Sequence, residues 1–198
     1  MALKSKDTTS NIVFKKRGDN NKKKVLIYGE DGSGKSTFAE TYCNKHGLKP
    51  VVLDIEDTNY TDLPMSSDFD LSSDRKSYRM MKNTLEEINE LDFDTIIIDG
   101  VDSLVESFIS DAGGIAKYGD RSRTSLKFIN DCLRTGKNLI FIGQAPVDLD
   151  YYRGTDKQPN SIIIKLNAMV NEKYCCTLEN NKYKVRTVKY RVKEKEGE

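Results

Sequence analysis

The sequence predicts an α/β fold: a mainly parallel sheet flanked by helices, with an antiparallel strand pair at its C-terminal end. Three observations predict it. Apolar runs of strand length alternate with longer segments whose apolar residues recur at helical spacing. The run Ile96-Ile97-Ile98, after Thr95, is apolar at consecutive positions, as in a strand covered on both faces. The last two runs, 174–178 and 184–192, are joined by Glu179-Asn180-Asn181, a turn-forming stretch that sends the chain back on itself.

Taken in order, residues 1–23 read as a flexible basic segment. Asn11-Ile12-Val13-Phe14 is a candidate edge strand inside it, followed by the runs Lys15-Lys16-Arg17 and Lys22-Lys23-Lys24. The core is expected to span 24–192, and 193–198 to form a charged tail. Val25-Leu26-Ile27-Tyr28 is the first buried strand. A helix over 35–45 follows, and Gly47 stands where a left-handed C-cap belongs. Val51-Val52-Leu53 is the second strand and runs into Asp54-Ile55-Glu56. Residues 57–76 are polar and read as a loop. Met80, Met81, Leu85, Ile88 and Leu91 recur at helical spacing, which predicts a helix over 77–91. After the third strand, Thr95–Asp99, residues 101–110 read as helix. Gly113, Gly114 and Gly119 make 111–121 a loop, and a further helix covers 122–135, ended by Gly136. Asn138–Gly143 is the fourth strand, 145–159 a long polar loop and 161–171 a short helix before the strand pair. Alternating βα units imply right-handed crossovers and a doubly wound sheet, whose ligands bind at the carboxyl ends of the strands.

The 198 residues suit a single domain. Basic and acidic residues number 32 and 31, a net charge of +1, so bulk charge does not draw the chain to nucleic acid and any such site must come from local clustering. No apolar stretch reaches membrane-spanning length and no apolar signal core opens the chain, which points to the cytoplasm. Cys43, Cys132, Cys175 and Cys176 make no C-x-x-C, and His46 is the single histidine. They read as packing residues and a surface imidazole rather than a metal site.

Residues Gly29-Glu30-Asp31-Gly32-Ser33-Gly34-Lys35-Ser36, followed by Thr37, spell G-x-x-x-x-G-K-[ST] between a strand and a helix, the context a phosphate loop needs. The glycines let the backbone close around phosphate oxygens, and the N–H groups of the new helix meet them at its positive end. Lys35 is expected to reach the β- and γ-phosphates, and Ser36 to place its hydroxyl on Mg2+. The expected ligand is therefore ATP with magnesium.

The ends of neighbouring strands face the same nucleotide. Asp99, closing Ile96-Ile97-Ile98, is placed to hold the metal opposite Ser36. The residue after it is Gly100, where many ATPases carry the glutamate that activates water, so the base must come from another strand end. Glu56, past the second strand, is the candidate. Gln144, ending the fourth strand, can sense a γ-phosphate and pass its presence to the loop that follows.

The order of phosphate loop, Leu53-Asp54-Ile55-Glu56, Ile96-Ile97-Ile98-Asp99 and Leu139-Ile140-Phe141-Ile142-Gly143-Gln144 resembles the ATPase core of RecA-type recombinases. It is most similar to the small phage proteins built on that core alone, the single-strand annealing proteins of the Sak group. The resemblance covers about residues 24–192. It implies a RecA-like P-loop NTPase that hydrolyses ATP slowly under stimulation by single-stranded DNA and promotes annealing or recombination in the host cytoplasm. It also implies Glu56 as the water-activating base and Gln144 as the link to the second DNA-binding loop. Lys189-Tyr190-Arg191 matches a Lys-x-Lys pair that reaches the neighbouring subunit's γ-phosphate, which implies a homo-oligomer with a shared active site. In the second DNA-binding loop, Tyr151 and Tyr152 offer stacking faces and Arg153 and Lys157 phosphate contacts, with Asp148, Asp150 and Asp156 cancelling the local charge. The region matching the first loop contributes Lys117, Tyr118, Arg121 and Arg123. A single-strand-binding protein is a further partner to expect. The chain leaves no room for a full recombinase's terminal domains, so the resemblance carries ATP binding further than filament formation or strand exchange. Two other readings stay open: a nucleotide or small-molecule kinase, with Asp120-Arg121-Ser122-Arg123 as a substrate clamp, and a nucleotide-switched interaction module.

Overall fold

A computed structural model of the chain describes residues 22–56, 65–66, 74–107, 116–157, 159 and 161–190. The strands are β1 (Lys24–Gly29), β2 (Pro50–Asp54), β3 (Met65–Ser66), β4 (Thr95–Asp99), β5 (Asn138–Gly143), β6 (Glu172–Glu179) and β7 (Lys182–Tyr190). The helices are α1 (Lys35–His46), α2 (Asp74–Asn89), α3 (Val101–Ser107), α4 (Ala116–Arg134) and α5 (Ser161–Met169). The seven strands form one sheet in the order β3-β2-β4-β5-β1-β6-β7. All neighbours pair in parallel except β6 and β7, which are antiparallel as the Asn180-Asn181 turn predicts.

Residues of β2, β4 and β5 are buried throughout, because helices cover both faces. Alternate side chains divide between two cores. On one face Leu26, Leu53, Ile96, Ile98, Leu139 and Phe141 pack with Met81, Leu85 and Ile88 of α2, Leu104 of α3, Phe128 and Ile129 of α4 and Leu166 of α5. On the other, Val25, Ile27, Val52, Ile97, Ile140 and Ile142 meet Ala39, Tyr42 and Cys43 of α1. The Tyr42 and Tyr174 hydroxyls donate to Glu172 Oε2 at 2.6 and 2.8 Å, tying α1 to β6. The four cysteines are free, with Cys43, Cys132 and Cys176 buried among packing residues.

Register places the site. Asp54 stands opposite Asp99, Asp99 opposite Ile142, and Tyr28 opposite Gly143. The carboxyl ends of β1, β2, β4 and β5 therefore lie on one edge of the sheet, with Glu56, Asp99 and Gln144 a residue or two from the phosphate loop's level.

Several expectations are corrected. Residues 116–121, expected in a loop, are the first turns of α4. Gly119 sits there in open space, so the helix bears only the ~1 kcal/mol a glycine costs relative to alanine, while buried Ser125, Phe128, Ile129 and Cys132 anchor the next turns. Helix α2 begins at Asp74, three residues before the predicted start at 77, and the two-residue β3 is too short to leave a periodic signal. The loop after β5 holds two short 3-10 turns, Ala145–Val147 and Leu149–Tyr152. The candidate edge strand 11–14, Arg191 and the tail 193–198 lie outside the described residues. Among the described residues, no helix is long and apolar enough to cross a membrane.

Candidate active site

The phosphate loop turns from β1 into α1. Gly34, the N-cap of α1, has φ 80° and supplies no side-chain oxygen to the first turn. The N–H groups at the start of the helix are therefore left to a ligand, and an anion is what a helix N-terminus favours. Lys35 Nζ donates to the carbonyls of Glu30 at 2.9 Å and Gly29 at 3.3 Å, folded over its own loop. Ser36 Oγ donates to Asp99 Oδ2 at 2.7 Å, so the hydroxyl and carboxylate expected to share a metal already touch. Ser33 Oγ, inside the loop, is buried and has no hydrogen-bond partner among the described residues. Buried hydroxyls are ordinarily paired. The uncapped turn, the orphaned hydroxyl and the Ser36–Asp99 pair all suit a phosphate with a divalent cation.

Asp31, Gly32, Ser33, Gly34, Lys35, Ser36 and Thr37 line a cleft of about 270 Å³ with Glu56, Asp99 and Tyr183. Glu56 comes from beyond β2 and is held by Ser103 of α3, whose Oγ donates to Glu56 Oε1 at 2.6 Å. Gly100 makes room for it. Its φ is +87°, and a Cβ there would lie 2.6 Å from Glu56 Cγ. The glycine that removes the usual glutamate after Asp99 is thus the one that admits Glu56. Partial burial raises the Glu56 carboxyl above the ordinary carboxylate range. The Ser103 hydrogen bond pulls the other way, and the charges of Asp102 and Asp99 add to the rise. A carboxylate shifted upward is a stronger base for water.

Gln144 Nε2 donates to Asp31 Oδ1, joining the end of β5 to the tip of the phosphate loop. Its backbone N–H donates to Asp102 Oδ1 at 3.3 Å. Burial pushes the Asp102 carboxyl upward, and the hydrogen bonds it accepts oppose that shift.

The residues matched to DNA loops fare differently. Tyr151 is exposed, but Tyr152 is half-buried against the core and meets Tyr151 edge-on at 5.3 Å between centroids. Arg153 Nε pairs with Asp150 Oδ1 at 3.0 Å, and Lys157 is exposed. Asp148, expected to cancel surface charge, is instead buried. It pairs with Lys173 Nζ at 2.5 Å. Lys117 and Arg121 belong to the first turns of α4, and Arg123 is exposed two residues on. Lys189 Nζ donates to the Asn167 carbonyl of its own chain at 2.7 Å. Strand β7 starts beside the cleft and runs away from it, so Lys189 stands toward the far edge of the sheet.

The family model of an AAA domain matches residues 21–173. The chain belongs to the AAA-domain family. It is therefore a P-loop NTPase by family, and the matched span, which runs from just before β1 into β6, takes in the G-x-x-x-x-G-K-[ST] stretch at Gly29–Ser36. No curated protein matches the chain. Sequence reasoning missed Ser103, Asp102 and Tyr183. Ser103 and Asp102 carry no motif in a helix that reads as ordinary. Tyr183 is one aromatic in a basic strand, and only the packing of β7 across β6 brings it to the loop.

Proposed function

We propose that the protein binds Mg-ATP and hydrolyses it with Glu56 as the base, and that it couples this cycle to single-stranded DNA. The lodging of Glu56 beside Gly100, on the same cleft as Lys35 and Asp99, carries the hydrolytic reading. Lys35 and the first N–H groups of α1 hold the triphosphate. Ser36 and Asp99 would hold the metal, which when bound supplies charge for the β- and γ-phosphate oxygens. Glu56, oriented by Ser103, aligns the attacking water and takes its proton on the carboxylate.

The hydrogen bond from Gln144 to Asp31 supports the coupling. It joins the phosphate loop to the segment that carries Tyr151, Arg153 and Lys157, so a γ-phosphate competing for Gln144 would shift that segment. We read the molecule as a RecA-like ATPase of the phage annealing type, assembling as a homo-oligomer whose Arg191 acts on the neighbouring site. ATP turnover with and without single-stranded DNA tests this. Stimulation by single strands, loss of turnover in Lys35→Ala, and anisotropy showing ATP-strengthened binding with a shallow salt slope are expected. Turnover indifferent to DNA, with no oligonucleotide binding at low salt, would remove the DNA reading and leave the ATPase.

A further inference from the structure

We propose that the exposed ring of Tyr183 is the stacking platform for the base of the bound nucleotide; this rests on the nucleotide-binding reading of the cleft and adds the subsite that reading leaves open. Position is the first argument. Tyr183 lines the same cleft as the phosphate loop, and its ring lies against Gly34, where an added Cβ would stand 3.0 Å from Tyr183 Cδ1. Any larger residue at position 34 would push the ring out of the cleft.

Direction is the second. In the sheet order, β2, β4 and β5 lie on one side of β1, and β6 and β7 on the other. Glu56, Asp99 and Gln144 are all on the first side, so the γ-phosphate end of a triphosphate points there. Its ribose and base must leave the loop the other way, over the β6–β7 hairpin. Tyr183 is at that end.

Chemistry is the third. Tyr183 is 68% exposed, an unusual position for a large aromatic next to a polar cleft. It is not alone. Leu178 pairs directly opposite it across the hairpin, and Val185, two residues on, shares its face; both are exposed. The intervening Lys182, Lys184 and Arg186 point to the opposite face, where Lys184 pairs with Glu179. An exposed edge strand is ordinarily guarded by charge, and here charge occupies one face only. The other is a small apolar shelf adjoining the phosphate site, the size and polarity that suit a flat heterocycle. Stacking on a ring is tolerant of base identity, so the shelf holds the base without reading its edge.

The test is calorimetric titration of the full chain with Mg-ATP and, separately, with magnesium tripolyphosphate, which has the phosphates and no base. Tyr183→Ala is expected to weaken ATP binding about tenfold or more, the scale of one lost base–aromatic stack, and to leave tripolyphosphate affinity unchanged. Tyr183→Phe is expected to bind both as the unaltered protein does. The ring is exposed, so neither variant threatens folding. ATP affinity unchanged in Tyr183→Ala would overturn the proposal, and so would an equal loss for both ligands, which would make the ring a prop for the loop. If the unaltered protein binds neither ligand, the nucleotide reading itself falls, and the proposal with it. Binding of tripolyphosphate as tight as that of ATP in the unaltered protein would overturn the base subsite alone.

Discussion

Gly100 and Glu56 form a pair in which each explains the other. A glutamate after Asp99 would need a Cβ where Glu56 Cγ already lies, 2.6 Å away, and a backbone at φ +87°. Gly100→Ala is therefore expected to strain the turn by about 1–2 kcal/mol and to displace Glu56, lowering turnover while ATP affinity holds. Single-turnover hydrolysis beside equilibrium binding checks both halves. Glu56→Gln should keep ATP affinity and slow hydrolysis by roughly 10²-fold or more. The pH profile gives an independent reading. As the proposed base, Glu56 would work only when ionised, and burial raises its proton affinity, so turnover should fall as pH drops through a value above the ordinary carboxylate range. That acid limb should vanish from the residual activity of Glu56→Gln. An unchanged limb in this variant would assign it to another group.

Among the elements, the segment after β5 departs most from its expected character. It reads as a polar loop, yet Val147 and Asp148 are buried and a charged network pins it. Lys173 Nζ of β6 bonds Asp148 Oδ1 and, at 3.2 Å, Asn167 Oδ1 of α5, while Asn167 Nδ2 donates to the Val147 carbonyl at 2.8 Å. Burial would raise the Asp148 carboxyl, but hydrogen bonds from Lys173 and Tyr28 outweigh it and hold the group below its ordinary range. Asp148→Asn leaves the buried Lys173 ammonium without a counter-ion and is expected to cost about 3–5 kcal/mol in chemical denaturation. A depressed carboxylate contributes stability above its unfolded pKa and loses it as pH falls through the folded one. The gap between the two proteins should thus be full at neutral pH and narrow below about pH 4. A gap constant with pH would mean the ion pair contributes nothing.

At the scale of the whole molecule, the site draws on β1, α1, β2, β4, α3, β5 and β7, so nucleotide binding should be felt as global stability. Mg-ATP at about 100 times its dissociation constant should add roughly 2.7 kcal/mol, raising Tm by several degrees in a chain of this size. Lys35→Ala should lose that shift without losing the fold, since among the described residues its ammonium hydrogen-bonds loop carbonyls alone. Thermal denaturation with and without nucleotide measures it. The proposed assembly makes a second expectation. In a shared site Arg191 would act on the neighbouring subunit's nucleotide. Arg191→Ala and Glu56→Gln, each weak alone, should regain activity when mixed. A monomer hydrolysing at full rate with ATP and DNA present would exclude a shared site.

The sequence by itself determined the sheet, the loop and the carboxylates at its edge. Buried parallel strands carry apolar residues at consecutive positions, as in Ile96-Ile97-Ile98, and a phosphate loop is one contiguous motif whose chemistry is set by residues that are neighbours in the chain. Glu56 is legible as a candidate on the same local grounds, the first acid past β2 with Gly100 standing after Asp99, and it lies on the cleft. What only the tertiary structure decided lies between segments distant in sequence. Ser103 meets Glu56 from 47 residues away, Gln144 meets Asp31 from 113, and Tyr183 reaches Gly34 because β7 folds back across β6. The helical start of α4 and the burial of Asp148 belong to the same class. Local composition favoured loop and surface there, and packing against α5, β6 and the sheet outweighed it, because a residue's burial depends on its spatial neighbours, which periodicity along one segment does not record.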